Sequence, residues 1–438
     1  MQKLKILWFA NTPCGAAFKL NLDLNVCGWL KSLEEQLVQV ENIELSVSFY
    51  WGEEIDPFEY NGTTYYPIYK PRDGSKVGRL INRVFQLNSD KKDIPRLLKV
   101  IELVNPDLIH VHGTENNFGL IQEFVRVPAI VSIQGILSPY MEKYYSGIPL
   151  TASVWHEGVM PKVLFRSVKY LYNNLRDAAI RERYMLLMTK HVFGRTDWDR
   201  RITHLLAPSS TYFVGNEILR PAFYENTWQK KKFGTPLQLV TVMTRGLHKG
   251  LESVVKTAQV LSNRKEFDFK WTIIGQAESD DLVKIVRGWM KVNFKSLNII
   301  LVGSKKEKEV ADILLQSDIY CQVSHIENSP NSLCEAMLIG MPIVATFAGG
   351  TDSMLENNKE GILVQSGDSY SLGGAILEMS QDFDKAIQYG SNARIRSSAR
   401  HDPQNIVKEV VTGYKTILAT EGQKKMPAAV IAPVEKII

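Results

Sequence analysis

The run HIENSPNSLCEAMLIGMPIVA, from His325 to Ala345, carries two glutamates, Glu327 and Glu335, with a proline between them and an apolar stretch behind. Ser329 followed by Pro330 reads as an N-cap and a first helical residue, because proline's missing N–H and fixed φ cost nothing there. Leu333, Ala336, Met337 and Gly340 then fall at i, i+3, i+4 and i+7, one buried face of a helix. Gly340 and Pro342 supply the stop, and Ile343 to Thr346 reads as a strand. The unit is therefore loop, helix, strand. Its first N–H groups have no partner inside the helix, a place that attracts anions, and both carboxylates border it. Taken alone, acids near a helix start merely complement the helix dipole.

The neighbouring sequence gives the unit a setting. From Leu237 onward, strand-like and helix-like patterns alternate: strands at 238–243, 270–275, 298–303 and 318–323, with helical periodicity between them. The first half does likewise, with strands at 4–10, 43–49, 107–112, 129–134 and 192–195. Two doubly wound, parallel-sheet α/β domains follow. The junction falls at about 214–236, where the hydrophilic NTWQKKKFGTP interrupts the periodicity, giving a first domain over 1–214 and a second over 215–395. Ligands of such sheets sit beyond the carboxyl ends of the strands, so the cleft between the domains is the expected site.

A chain of 438 residues with 45% hydrophobic and 23% charged residues suits a folded globular protein of two or three domains. No run of 18 apolar residues offers a membrane span, and the apolar stretch after Met1 is too short for a leader. Cys14, Cys27, Cys321 and Cys334 show no C-x-x-C pairing, which argues against a disulfide framework or a zinc site and for a reducing cytoplasm. A net charge of +5 is too mild to indicate a nucleic-acid partner, and no motif for one accompanies it.

Other clusters carry chemistry. In VTVMTRGLHKG, Arg245 and Lys249 follow the end of a strand beside glycines, a pair of cations suited to a phosphate or diphosphate; the bland reading is a solvated basic turn. In NPDLIHVHG, His112 ends a strand where it faces the cleft as a hydroxyl-binding or acid–base group, and His110, two residues deeper, reads as a hydrogen-bonded core histidine. Gly15, in the long loop after the first strand, allows a backbone to approach a ligand, or is simply a turn glycine. Thr196 with Asp199 reads as a structural capping pair. The chain lacks G-x-G-x-x-G and G-x-x-x-x-G-K-[ST], which weakens dinucleotide and P-loop readings. Basic residues Lys76, Arg79 and Arg83 oppose an apolar face at 77–85, and Lys162, Arg166 and Lys169 stand beside Phe165, Tyr170 and Tyr172. Either set rests on an anionic membrane or is a solvated helix face.

In this order, ENSPNSLCE with AMLIGMPIVATFAGG, TRGLHKG, PDLIHVHG, HVFGRTDW, VGNEILR and EGILVQSGD resemble the family 4 glycosyltransferases along most of the chain. The resemblance implies a GT-B fold, two Rossmann-like domains facing across a cleft, with a C-terminal helix over 396–420 crossing back to the first domain and a flexible tail over 421–438. It implies retaining transfer of a sugar, by front-face departure and attack, from a UDP- or GDP-sugar to a hydroxyl of a glycan or lipid-linked acceptor, as in bacterial surface polysaccharide synthesis. Glu335 would hold ribose hydroxyls and Glu327 the donor sugar. Asn331 and Ser332, with Leu333 beside them, would offer the helix start to the diphosphate, and Arg245 and Lys249 would neutralise the departing charge without a metal or other cofactor. His112 would stand near donor sugar and acceptor, and Gly15 in the acceptor-side loop. Three departures stand out: Gln134 where many members have histidine, Asn328 where glycine is commoner after the first acid, and GGTDSM for GG-x-x-E. An inactive scaffold of a polysaccharide assembly complex and a nucleotide-sugar epimerase are the competing readings. The expected setting is the cytoplasm or the inner face of the membrane.

Overall fold

The computed structural model describes residues 3–22, 28–70, 90–163 and 166–422. Cys27, Phe165, the basic stretch at 77–85 and the tail from 423 onward lie outside them.

Strands β1 (Leu4–Ala10), β2 (Ile43–Trp51), β3 (Phe58–Tyr60), β4 (Thr63–Tyr69), β5 (Leu108–His112), β6 (Ala129–Ser132), β7 (His191–Gly194) and β8 (Thr211–Val214) form one sheet. Its order is β3-β4-β2-β1-β5-β6-β7-β8, parallel except for β3 against β4. The second sheet holds β9 (Leu237–Val242), β10 (Phe269–Ile274), β11 (Ile299–Leu301), β12 (Ile319–Gln322), β13 (Ile343–Phe347) and β14 (Ile362–Gln365) in the order β11-β10-β9-β12-β13-β14, all parallel. Numbered within that sheet, the order is 3-2-1-4-5-6, and its reversal between β9 and β12 opens a crevice at their carboxyl ends. Both sheets bury apolar residues on two faces, as parallel sheets covered by helices must: Ile6, Leu7, Trp8 and Phe9 of β1 are all inaccessible.

The β3–β4 hairpin is absent from the sequence expectation although its signal is present. Asn61 and Gly62 both adopt positive φ, +49° and +81°, as a tight two-residue hairpin turn requires, and Asn-Gly is the pair that does so most readily.

The helix of the opening motif runs Asn331–Ile339 and ends on Gly340 at φ +84°. Two details differ from expectation. Pro330 is the N-cap rather than the first helical residue, and Ser329 turns its hydroxyl away to donate to buried Glu217. Leu333 through Ile339 are all buried, so the helix is enclosed on every side rather than along one stripe. Helix Phe383–Arg400 packs on it, and helix Pro403–Gly422 returns to the first sheet. There Ile406, Val410, Tyr414 and Ile417 join the core built on β1, β2 and β5, each apolar side chain contributing up to about 1.5–3 kcal/mol of burial. A second crossing runs the other way. Tyr144, Ile148, Ala152 and Val168, from the helices and turns between β6 and β7, pack into the core around Leu251 and Val255 of helix Leu251–Ser262, which covers the second sheet. Among the described residues no helix is long and apolar enough to cross a membrane.

Candidate functional site

A cleft of about 650 Å³ lies between the two sheets, at the carboxyl ends of β9 and β10. Gly275, at φ +95°, lets those strand ends meet: a Cβ there would fall 2.0 Å from the Met243 carbonyl oxygen. Gly250, at φ +80°, presses the loop after β9 onto the end of β12, where a Cβ would fall 2.2 Å from the Val323 carbonyl oxygen. That approach delivers Lys249, whose Nζ donates to Glu327 Oε1 at 2.6 Å. Gln322 Nε2 supports the same oxygen at 3.4 Å. Asn331 and Ser332 line the cleft as the first two residues of the helix, where N–H groups lack intrahelical acceptors. Leu333 does not face it: its side chain is in the core and its N–H donates to the Pro330 carbonyl.

Glu335 lines the same wall and meets an arginine that sequence reasoning passed over. Arg220 Nε and Nη2 donate to Glu335 Oε1 and Oε2, both at 2.7 Å, a bidentate pair. Burial pushes the Glu335 carboxyl up and the guanidinium opposes it; a two-pronged guanidinium is the partner of an ionised carboxylate. Arg220 sits just before helix Pro221–Glu225, in a stretch without periodicity, and nothing local announces a partner 115 positions away.

The first-sheet wall departs further from expectation. His112 ends β5 at the right height but is inaccessible, 4.3 Å from the Trp8 ring and 3.8 Å from the His110 ring, with Trp29 at 5.9 Å. Both its ring nitrogens lack a hydrogen-bond partner among the described residues. Burial, reinforced by His110 and Arg195, holds it well below the ordinary imidazole range, so it is neutral. Trp29 and Arg195 line the cleft in its place, the guanidinium stacked 4.2 Å above the indole. His110, in contrast, has Nδ1 at 2.6 Å from the Tyr414 hydroxyl and Nε2 at 2.6 Å from the Ser132 hydroxyl, and burial takes it down to about 3. Gln134 lines the cleft with a buried Nε2 that has no partner among the described residues.

Two further expected residues stand elsewhere. Arg245 is 80% exposed and pairs with Asp280 at 3.1 Å, outside the cleft lining, because the loop after β9 turns its guanidinium toward solvent. Gly15 lies in a short helical turn, Cys14–Ala17, with its N–H donating to Glu34 at 2.7 Å, and lines a separate groove against Tyr65.

Ligand atoms of Glu217, Cys334 and His401 lie within 4.8 Å of one another. The charges of Arg195 and Arg400 fall on the same carboxylate, so a cation there would be repelled.

Residues 223–396 match the family model described as glycosyl transferases group 1. The amylovoran biosynthesis glycosyltransferase AmsK of Erwinia amylovora is 26% identical over 192 residues, 42% of this chain and 46% of that protein. The chain thus spans about half the length of such curated relatives. Among solved structures, sucrose-phosphate synthase from Thermosynechococcus elongatus superposes with a TM-score of 0.67 at 15% identity, covering 95% of this chain and all of that one. HepE from Anabaena, solved with UDP and glucose, superposes at 0.57 and 18% identity, covering 94% of this chain and all of that one. The family match thus covers the second sheet and its helices, where the chain is similar to the group 1 glycosyl transferases, and the architecture shared with solved two-domain structures spans almost the whole chain.

Proposed function

We propose that the protein transfers a hexose from a nucleoside-diphosphate sugar, UDP- or GDP-linked, to a hydroxyl of a glycan or lipid-linked acceptor, with retention at the anomeric carbon. The observation that carries this reading is the pairing of Lys249 with Glu327 and of Arg220 with Glu335 on either side of an open helix start. The helix N–H groups suit a diphosphate, Glu335 suits ribose hydroxyls and Glu327 the sugar. The bond from the anomeric carbon to the β-phosphate oxygen breaks as the acceptor oxygen adds from the same face, and the acceptor proton passes to the departing diphosphate. Lys249, and Arg245 once it turns inward, neutralise the charge that develops there, so the reading needs no metal.

Association with surface polysaccharide synthesis fits relatives such as the amylovoran enzyme. A membrane-borne acceptor at the cytoplasmic face fits a patch on the first unit. Trp155, Val159, Met160 and Val163 are 83%, 74%, 64% and 60% exposed, and Lys162, Arg166 and Lys169 stand exposed beside them. Sedimentation with phosphatidylglycerol vesicles is expected to carry the protein down, and Trp155→Ser with Met160→Ser to weaken this; equal sedimentation of the variant removes the patch from the reading.

The first test is thermal unfolding with UDP, GDP, ADP, CDP and dTDP, since a ligand at 100 times its dissociation constant stabilises by about 2.7 kcal/mol. One nucleotide is expected to raise the midpoint, and Glu335→Ala to abolish the rise. No rise with any of them would favour the inactive-scaffold reading; a changed sugar nucleotide without acceptor would indicate an epimerase.

A further inference from the structure

Asn328 follows Glu327 directly and is 1% exposed. Its side-chain amide is taken up wholly by the first unit. Oδ1 accepts from the Thr196 hydroxyl at 2.7 Å, and Nδ2 donates to Asp199 Oδ2 at 2.9 Å and to the Gln134 carbonyl at 3.3 Å. These partners are themselves fixed. Thr196 Oγ1 caps helix Asp197–Leu206 by accepting from the Asp199 N–H at 3.0 Å, and Asp199 accepts from the Arg195 N–H at 2.9 Å and the Tyr212 hydroxyl at 2.5 Å. Gly350 makes room for the junction: its N–H donates to the Glu327 carbonyl at 3.0 Å, and a Cβ there would lie 2.4 Å from the Asn328 carbonyl oxygen and 2.7 Å from Thr196 Cγ2.

We infer that Asn328 is a positioning residue that anchors the Glu327 loop to the first unit, so that the placement of Glu327 against Lys249 is set from across the cleft. Consecutive Cα atoms are 3.8 Å apart, so a side chain locked in one unit fixes the backbone of the residue before it. A buried amide with all its partners in the facing unit makes that lock costly to release. The consequence for catalysis rests on the proposed transferase reading; the anchoring itself does not.

Hydrogen exchange on the full chain tests it, comparing the protein with Asn328→Ala, Thr196→Val and Thr196→Ser. Asn328→Ala is expected to speed exchange about tenfold at 195–203, and Thr196→Val at 324–330, each in the unit that was not altered, while 251–262 and 403–422 keep their rates. Thr196→Ser, which keeps the hydroxyl, restores protection at 324–330. Faster exchange only in the altered unit, or everywhere alike, overturns the inference. Titration with UDP and GDP then separates positioning from binding: whichever nucleotide the unaltered protein takes should bind Asn328→Ala within about twofold, because Glu335 and the helix start are untouched. An affinity loss of tenfold or more would make Asn328 part of the binding platform instead. If the unaltered protein binds neither nucleotide, the transferase reading is in trouble, while the exchange pattern still decides the anchor.

Discussion

The two walls of the cleft meet their electrostatic demands in opposite ways. On the second-sheet wall every expected acid has a cation: Glu327 has Lys249 and Glu335 has Arg220. On the first-sheet wall polar groups are buried without partners among the described residues: both nitrogens of His112, Nε2 of Gln134 and Nη2 of Arg195. Unmet buried donors and acceptors cost stability, of order 1–3 kcal/mol each. The acids of one wall are therefore neutralised within the protein, and the other wall holds buried polar groups that the protein itself leaves unpaired among the described residues.

The sharpest way to break the comparison is Arg220→Ala. It leaves Glu335 buried without its partner, and loss of one member of a buried pair costs about 3–5 kcal/mol, to be read as a drop in the unfolding midpoint. A midpoint unchanged by Arg220→Ala would mean that the second-sheet wall does not depend on that pair.

Acid probes the other wall. His110 and His112 are neutral when folded, with pKa values below the unfolded imidazole's, so the unfolded state binds more protons below about pH 6.5. Stability contributed by the two rings is complete above that value and falls as pH drops toward about 3 for His110, by up to about 1.4 kcal/mol per pH unit for each ring. His112→Phe should make the decline shallower and leave stability at pH 7 equal or higher by about 1 kcal/mol, since it replaces two orphaned nitrogens. Urea unfolding from pH 7 to 4 checks both, and an unaltered slope would mean that His112 is not held neutral by burial.

The smallest expected effect belongs to Arg245. Its pairing with Asp280 is exposed, so Arg245→Ala should change stability by less than about 1 kcal/mol. If Arg245 turns inward on a diphosphate, the same variant must nonetheless weaken nucleotide binding. Calorimetric titration of the nucleotide identified by the thermal panel distinguishes the two, and equal affinity would leave Lys249 as the cation at that end.

Much of the second unit was legible in the residues. Alternating βα periodicity located β9, β10, β12 and β13 to within a residue or two, and Gly340 closes its helix where a stop was expected. Those features are local: side-chain period, a residue that tolerates positive φ, a proline that cannot continue a helix. The Asn61-Gly62 turn was equally local and was passed over. Ser329 was misread because a hydroxyl before a proline has a local role available to it, and here a buried carboxylate, Glu217, outbids the helix N-terminus.

By itself, the sequence located ten of the fourteen strands, the family resemblance and the pair of acids at a helix start, because periodicity, turns and caps act over a few residues. Only the tertiary structure decided which groups face one another. Arg220 found Glu335 across 115 positions, Tyr414 found His110 across 304, and Asn328 found Thr196 across 132. Trp29 also stood between His112 and the cleft, where the sequence had put a reacting histidine. Burial and partnership are properties of distance in space, set by how two sheets and their crossing helices pack, and no short-range pattern along the chain encodes them.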